Sequence, residues 1–315
     1  MSGAVVTLSG GVGGAKLVLG MSYVVAGREL IVVCNTGDDF THLGLRVCPD
    51  IDSVLYALSG LSDQTRGWGR KDESWTFMSA MKDLQGPEWF NLGDGDLATH
   101  VLRTDMLAQN KTMAEVTGNL ALRMGIEADI LPMSDDPVAT IVHTDAGDLA
   151  FQHYFVREQC GPRVTGFSFD GTENAEPQSQ IVGALQSDPE AIIIAPSNPY
   201  VSVDPILQLK GMKAALKNAG APIVAVSPII GGKAIKGPAA KMMQELGKDV
   251  SVLGIAAHYQ DLIDGLVIDV QDAELAPQIR EMGIKTHVMQ TIMTDLSGRI
   301  ELAKATLNFA QECRT

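Results

Sequence analysis

The chain opens on a β-branched and apolar run, Val5-Val6-Thr7-Leu8, which predicts a strand. Ser9-Gly10-Gly11-Val12-Gly13-Gly14-Ala15-Lys16 follows, and then Leu17, Val18 and Met21 recur at helical spacing. The order is strand, glycine turn, helix. Residues 30–34 form a second uncharged strand ending in Asn35-Thr36-Gly37-Asp38-Asp39, which completes a β-α-β unit of the doubly wound kind. Further along, 191–195 runs into Pro196-Ser197-Asn198-Pro199, and 222–226 into Ser227-Pro228-Ile229-Ile230-Gly231-Gly232. Strands that are apolar at every position suit a parallel sheet covered on both faces. Between the two groups the spacing predicts helices over 74–84, 97–109 and 113–124, then strands over 140–143 and 149–156. Leu302, Ala305 and Phe309 mark a closing helix, 296–310, that docks on the sheet. The fold class predicted is α/β, a mostly parallel core over about 1–60 and 128–315 with a smaller helical or mixed insert over about 61–127.

Composition narrows the function. With 315 residues, 45% apolar and 20% charged, the chain has globular usage and enough length for a full core. Its uncharged stretches, such as 191–203, are too short and too proline-broken to span a membrane, and its start lacks the basic residues of a signal peptide. A cytoplasmic protein is expected. Cys34, Cys48, Cys160 and Cys313 lie far apart without a CxxC pair, so they read as buried thiols rather than disulfides or zinc ligands. The net charge of −14 disfavours nucleic acid and anionic membranes as partners. An anionic small molecule would have to be held locally, by backbone N–H groups, a few bases or a divalent cation.

The glycine turn matches neither standard fingerprint: Lys16 stands where a dinucleotide site has its third glycine, and no Gly-Lys-Ser/Thr closes a P-loop. Its physics still favours a phosphate, because side-chain-free residues expose successive N–H groups at a helix N-terminus. The alternative is a turn shaped only by tight packing. Asp38, Asp39, Asp50 and Asp52 begin just after the second strand, where an open α/β sheet presents its ligand. Carboxylates beside a phosphate repel it unless a hard cation bridges them, so Mg²⁺ is the cofactor expected. Taken singly, Asp39 and Asp52 read as solvated or capping aspartates and Asp50 as functional, with Asp38 open between the two. From Asn35 to Asp96 there are eleven acidic and five basic residues, and Trp68, Trp75 and Trp89 all fall there. They suggest a stacking surface for a flat heterocycle, although each alone is expected in the insert's core. No HExxH or GxSxG is present, so zinc hydrolase and Ser-His-Asp chemistry lack support.

Taken in order, Ser9-Gly10-Gly11-Val12-Gly13-Gly14-Ala15-Lys16, Asn35-Thr36-Gly37-Asp38-Asp39, Cys48-Pro49-Asp50-Ile51-Asp52, Arg66-Gly67-Trp68-Gly69, Leu92-Gly93-Asp94-Gly95-Asp96-Leu97-Ala98-Thr99-His100, Leu131-Pro132-Met133-Ser134-Asp135-Asp136 and Pro196-Ser197-Asn198-Pro199 resemble the 2-phospho-L-lactate transferases that build the redox coenzyme F(420). The likeness spans almost the whole chain. The glycine turn alone is shared with a related group, non-catalytic nucleotide-sugar-binding regulators of cell-wall growth, which is the alternative reading.

The resemblance implies a Rossmann-like three-layer core, a homodimer, and Mg²⁺-dependent transfer from a guanosine diphosphate-linked three-carbon acid to the terminal hydroxyl of a deazaflavin, with release of GMP. It places Gly10, Gly11, Gly13, Gly14, Lys16, Ser197, Asn198 and Ser134 at the nucleotide. It places Asp50, Arg66, Trp68, Asp94, Gly95 and Thr99 at the deazaflavin, Asp50, Asp38 and Asp39 at the metal, and Asp50 and Asp38 in catalysis. Family members usually carry arginine where this chain has Gly95.

Overall fold

In the computed structural model, which describes residues 3–235 and 237–314, seven parallel strands form one sheet. They are β1 (Val5–Ser9), β2 (Leu30–Cys34), β3 (Asp129–Pro132), β4 (Ala191–Ile194), β5 (Ile223–Val226), β6 (Gly265–Asp269) and β7 (Lys285–Met289). Across the sheet the order is β7-β6-β5-β4-β1-β2-β3, and every pairing is parallel. The order reverses between β1 and β4, which makes their carboxyl ends the topological switch point. The expected α/β, Rossmann-like sheet is therefore present, and it is wholly parallel.

The uncharged strands are explained by burial on two faces. Val6, Leu8, Ile192 and Ile194 join one core cluster, whereas Val5, Ala191 and Ile193 join the other. The second face is covered by α1 (Gly11–Met21), α2 (Pro49–Leu58), and the closing helix Leu296–Cys313. Between α2 and β3 lie α3 (Thr76–Asp83), α4 (Asp94–Ala108) and α5 (Met113–Arg123). Between β3 and β4, strands Ala139–Thr144, Gly147–Ala150 and Val164–Asp170 form a separate antiparallel sheet.

One predicted strand is corrected. Over 149–156, only Leu149 and Ala150 are extended: pairing with Ala139–Thr144 ends at Ile141↔Ala150, two residues before that strand does. The chain turns helical there, burying Phe151 and Tyr154 at i,i+3 and stacking Phe151 on Phe155. The four cysteines are free, as expected, but Cys160 and Cys313 are only half-buried.

Two contacts fix the helical layer around the switch point. Arg103 of α4, fully buried, makes a two-pronged ion pair with Asp52 of α2 and lies 3.2 Å from His100 Nδ1. Tyr56 donates its one proton to Asp96 Oδ1 at 2.5 Å, and its oxygen lies 3.1 Å from the Thr99 hydroxyl, so α2 and α4 are held by a buried polar seam. Secondly, α1 meets the closing helix so closely that a Cβ on Gly20 would sit 2.1 Å from the Arg299 carbonyl oxygen.

Gly20→Ala is expected to force these helices apart and lower stability by about 1–3 kcal/mol, the usual cost of overpacking. Gly118→Ala, at a mid-helix position of α5 with open space around it, is expected to raise stability by up to ~1 kcal/mol. Thermal midpoints of the two variants check both signs.

Candidate functional site

The glycine turn lies at the carboxyl end of β1 and starts α1. Gly11 has φ +61°, a left-handed conformation that a side chain would strain. At Gly13 a Cβ would lie 2.4 Å from the Pro196 carbonyl oxygen, so glycine is needed for the turn to approach the end of β4. That approach is locked by Ser197, which donates to the Gly10 carbonyl at 2.8 Å and accepts from the Gly10 N–H at 3.2 Å. Asn198 caps the next turn by accepting from Tyr200 N–H at 3.1 Å, and its amide nitrogen lies 3.3 Å from Met242 Sδ. The predicted nucleotide residues Gly10, Gly11, Gly13, Gly14, Ser197 and Asn198 thus meet at the switch point, with Lys16 one turn into α1.

Asp50 enters the same point from the first turn of α2. Its carboxylate accepts the Gly11 N–H at 2.6 Å and the Asn35 amide at 2.9 Å. Asn35 is the residue after β2, and its amide oxygen accepts from Gly37 N–H at 2.8 Å, which fixes the orientation it imposes on Asp50. Burial raises the Asp50 carboxyl to about 6, with the Asn35 and Gly11 hydrogen bonds opposing the rise. Asn35 thus joins the site beyond the residues expected there; its signature in the sequence is an amide at a strand end, separated by Thr36 from Gly37-Asp38-Asp39.

Asp38 and Asp39 are both buried, and their Oδ1 atoms have no hydrogen-bond partner among the described residues. Burial, reinforced by the Asp50 charge, pushes the Asp38 carboxyl well above its usual range. Asp39 is pushed up to about 7 by burial, against the pull of Arg46, whose guanidinium lies 3.4 Å away. Neither Asp39 nor Asp52 is a solvated aspartate: each is buried against an arginine. Asp38, Asp39 and Asp50 carry three potential negative charges against Arg46. This surplus, with an orphaned oxygen on Asp38, fits a hard divalent cation held by Asp38 and Asp50. Among the described residues, the compact group with metal-ligand spacing is a different one, Asp52, Asp96 and His100, whose charge is already answered by Arg103.

The residues expected at the acceptor lie around α4 and the 62–75 segment. Thr99 faces Tyr56 in the buried seam. Asp94 caps α3, accepting from Ser74 Oγ, Thr76 N–H and Phe77 N–H at 2.6 to 3.0 Å. Gly95 donates its N–H to Glu73 at 2.6 Å, and a Cβ there would lie 2.0 Å from Arg70 Nη1, so the Arg70 guanidinium fills that space. Arg66 is stacked between Trp68 and Trp75, 5.3 and 5.1 Å from their ring centres, and is held by Asp63 at 2.7 Å. Trp68 is 51% exposed and Trp75 37%, so neither belongs to a core. Trp89 packs against Phe40, His42, Phe90 and His153. Ser134 is not joined to the site by any hydrogen bond: its hydroxyl donates to the Glu176 carbonyl and accepts from Asp136 N–H.

The family model of the 2-phospho-L-lactate transferase CofD matches residues 5–302. The chain belongs to that family. It is 40% identical over 299 residues to a 2-phospho-L-lactate transferase of Methanococcoides burtonii, covering 95% of this chain and 97% of that protein. It is 38% identical over 317 residues to a phosphoenolpyruvate transferase of Kitasatospora aureofaciens, covering 98% of each. A UPF0052-family protein of Bacillus halodurans has the same fold, with a TM-score of 0.63 at 15% identity over 98% of this chain and 99% of that one. Among the described residues of this CofD-family transferase, no helix is long and apolar enough to cross a membrane.

Raised carboxyls make the cation-free protein sensitive to base. Between pH 4 and 7 the folded chain keeps protons on Asp38, Asp39 and Asp50 that the unfolded chain has released, so stability falls as pH rises through that window. Thermal melts in chelator are expected to show this fall in the wild type and a shallower one in Asp38→Asn. Equal slopes would contradict the assignment.

Proposed function

We propose that this chain transfers a phospho-three-carbon-acid group, phospholactate or its enolpyruvyl or glyceryl counterpart, from a guanosine diphosphate conjugate to the terminal hydroxyl of 7,8-didemethyl-8-hydroxy-5-deazariboflavin. GMP is released and the product is a coenzyme F(420) precursor. Membership of the family and the names of its relatives support the reaction class. The observation that carries the reading is the convergence of the glycine turn, Ser197, Asn35 and Asp50 at the β1/β4 switch point.

In this reading the donor's diphosphate lies against the start of α1, where backbone N–H groups and the helix dipole favour an oxyanion. The hydroxyl oxygen forms a bond to the β-phosphorus as the bond from that phosphorus to the bridging oxygen breaks, leaving the bridging oxygen on GMP. Mg²⁺ held by Asp38 and Asp50 would supply charge stabilisation to that oxygen. Asp50, fixed by the Gly11 N–H and the Asn35 amide, orients the hydroxyl and receives its proton late in the transfer. Trp68 and the α4 surface near Thr99 and Gly95 face the deazaflavin. Here Arg70, not a residue at 95, offers the guanidinium. The reading includes a cytoplasmic homodimer, carried over from the family resemblance.

Mass spectrometry of the purified protein with Mg²⁺, the deazaflavin alcohol and the three conjugates in competition tests the reaction. One phospho-acid added to the deazaflavin, with GMP formed, is the expected result and names the donor. Asp50→Asn is expected to lower kcat by about 10²- to 10³-fold, as for loss of a preorganised charge-stabilising group, with little change in thermal midpoint. UDP-sugar binding without any adduct would instead favour the regulator reading.

A further inference from the structure

A small cavity of about 140 Å³ opens beside the switch point, walled by Val12 and Lys16 of α1, Ser53 and Tyr56 of α2, Trp68, and Arg299 of the closing helix. Its wall adjoins the site in sequence on both helices. Val12 follows Gly11, whose N–H holds Asp50, and Ser53 lies three residues beyond Asp50 on the same face of α2.

Arg299 is the unusual wall. Two arginines are buried among the described residues, Arg103 and Arg299. Arg103 has a carboxylate partner, Asp52. Among the described residues Arg299 has no carboxylate within ion-pairing distance: Nη2 donates to the neutral Gln64 Oε1 at 2.6 Å, and Nε is buried without an acceptor. A buried guanidinium that lacks an anion is costly unless an anion arrives with the ligand. Burial pulls its proton affinity down, with Asp295 opposing. The other charges facing the cavity do not cancel it. Asp63, also in the wall, is occupied by Arg66, whose Nε donates to Oδ2 at 2.7 Å, and by the Thr65 and Arg66 N–H groups. Lys16 also lines the cavity.

Size limits the occupant. At about 30 Å³ for each water, the cavity takes the equivalent of four or five waters, which suits a three-carbon acid. Sites for drug-sized ligands start near 300 Å³, so the cavity is scaled to a small acid group rather than to a whole nucleotide.

We infer that this cavity is the subsite for the carboxylate of the donated three-carbon acid, with Arg299 as its principal ligand and Lys16 beside it. The assignment rests on the transferase reading above. It makes Arg299 a donor-specificity residue that recognises the acid and not the nucleotide. Gly20 supports this role by permitting the backbone approach that brings Arg299 against α1.

Trp68 lines the cavity, so its fluorescence reports occupancy without turnover. Titration of wild type with phosphoenolpyruvate is expected to give a saturable change, and inorganic phosphate, which lacks a carboxylate, a much weaker one. Arg299→Gln is expected to weaken the phosphoenolpyruvate response about 10- to 100-fold, the effect of losing a charged hydrogen bond, while GDP binding and the thermal midpoint stay unchanged. Arg299→Lys is expected to restore part of the response. In turnover, Arg299→Gln raises KM for the conjugate and leaves KM for the deazaflavin alone. An unchanged response in Arg299→Gln, equal loss of GDP and phosphoenolpyruvate binding, or phosphate binding as tightly as phosphoenolpyruvate would each overturn the assignment. Wild type that binds phosphoenolpyruvate through Arg299 yet never modifies the deazaflavin would remove the transferase reading and keep the subsite.

Discussion

The hydrogen bond from the Gly11 N–H to Asp50, 2.6 Å long, joins the first turn of α1 to the first turn of α2 at the place where the strand order reverses. Much of the site depends on it. It requires Gly11 in a left-handed conformation, Gly13 against Pro196, and Asn35 at the end of β2 to hold the other carboxylate oxygen. Helix α2 in turn carries Asp52 and Tyr56 into the seam with α4, so the acceptor-side residues are positioned from the same anchor.

Charge is distributed sharply in this chain of net charge −14. Around Asp38, Asp39 and Asp50 the protein buries more negative than positive charge, and burial raises all three carboxyls above their usual range. A short way along α1 it does the reverse, burying Arg299 beside Lys16. One place lacks a cation and the next lacks an anion. A diphosphate conjugate of an acid, bound with a divalent cation, supplies both.

Much of this was legible in the sequence. The runs at β1, β2, β4 and β5 stand out because parallel strands buried on both faces are apolar at every position. Strands β6 and β7 lack that signal: Gly265–Asp269 starts on glycine and ends on aspartate, and Lys285–Met289 mixes polar with apolar residues. The glycine turn and Asp50 announced themselves by residue type. Arg299 did not: its neighbour Gln64 lies 235 positions away, and nothing local distinguishes an arginine at the start of an ordinary amphipathic helix. Asp52 and Arg103 were hidden for the same reason, because burial of an ion pair between two helices leaves no local periodicity. The 149–156 segment misled because its apolar and aromatic residues also suit a strand, whereas Phe151 and Tyr154 are buried by a helical turn after Ala150.

The central claim is that the switch point takes a diphosphate and a divalent cation together. Anomalous diffraction from crystals grown with Mn²⁺ and GDP tests it most directly. A manganese peak between the Asp38 and Asp50 carboxylates, with the diphosphate on the N–H groups that open α1, is the expected result. Manganese at Asp52, Asp96 and His100, or a diphosphate bound away from the glycine turn, would contradict it.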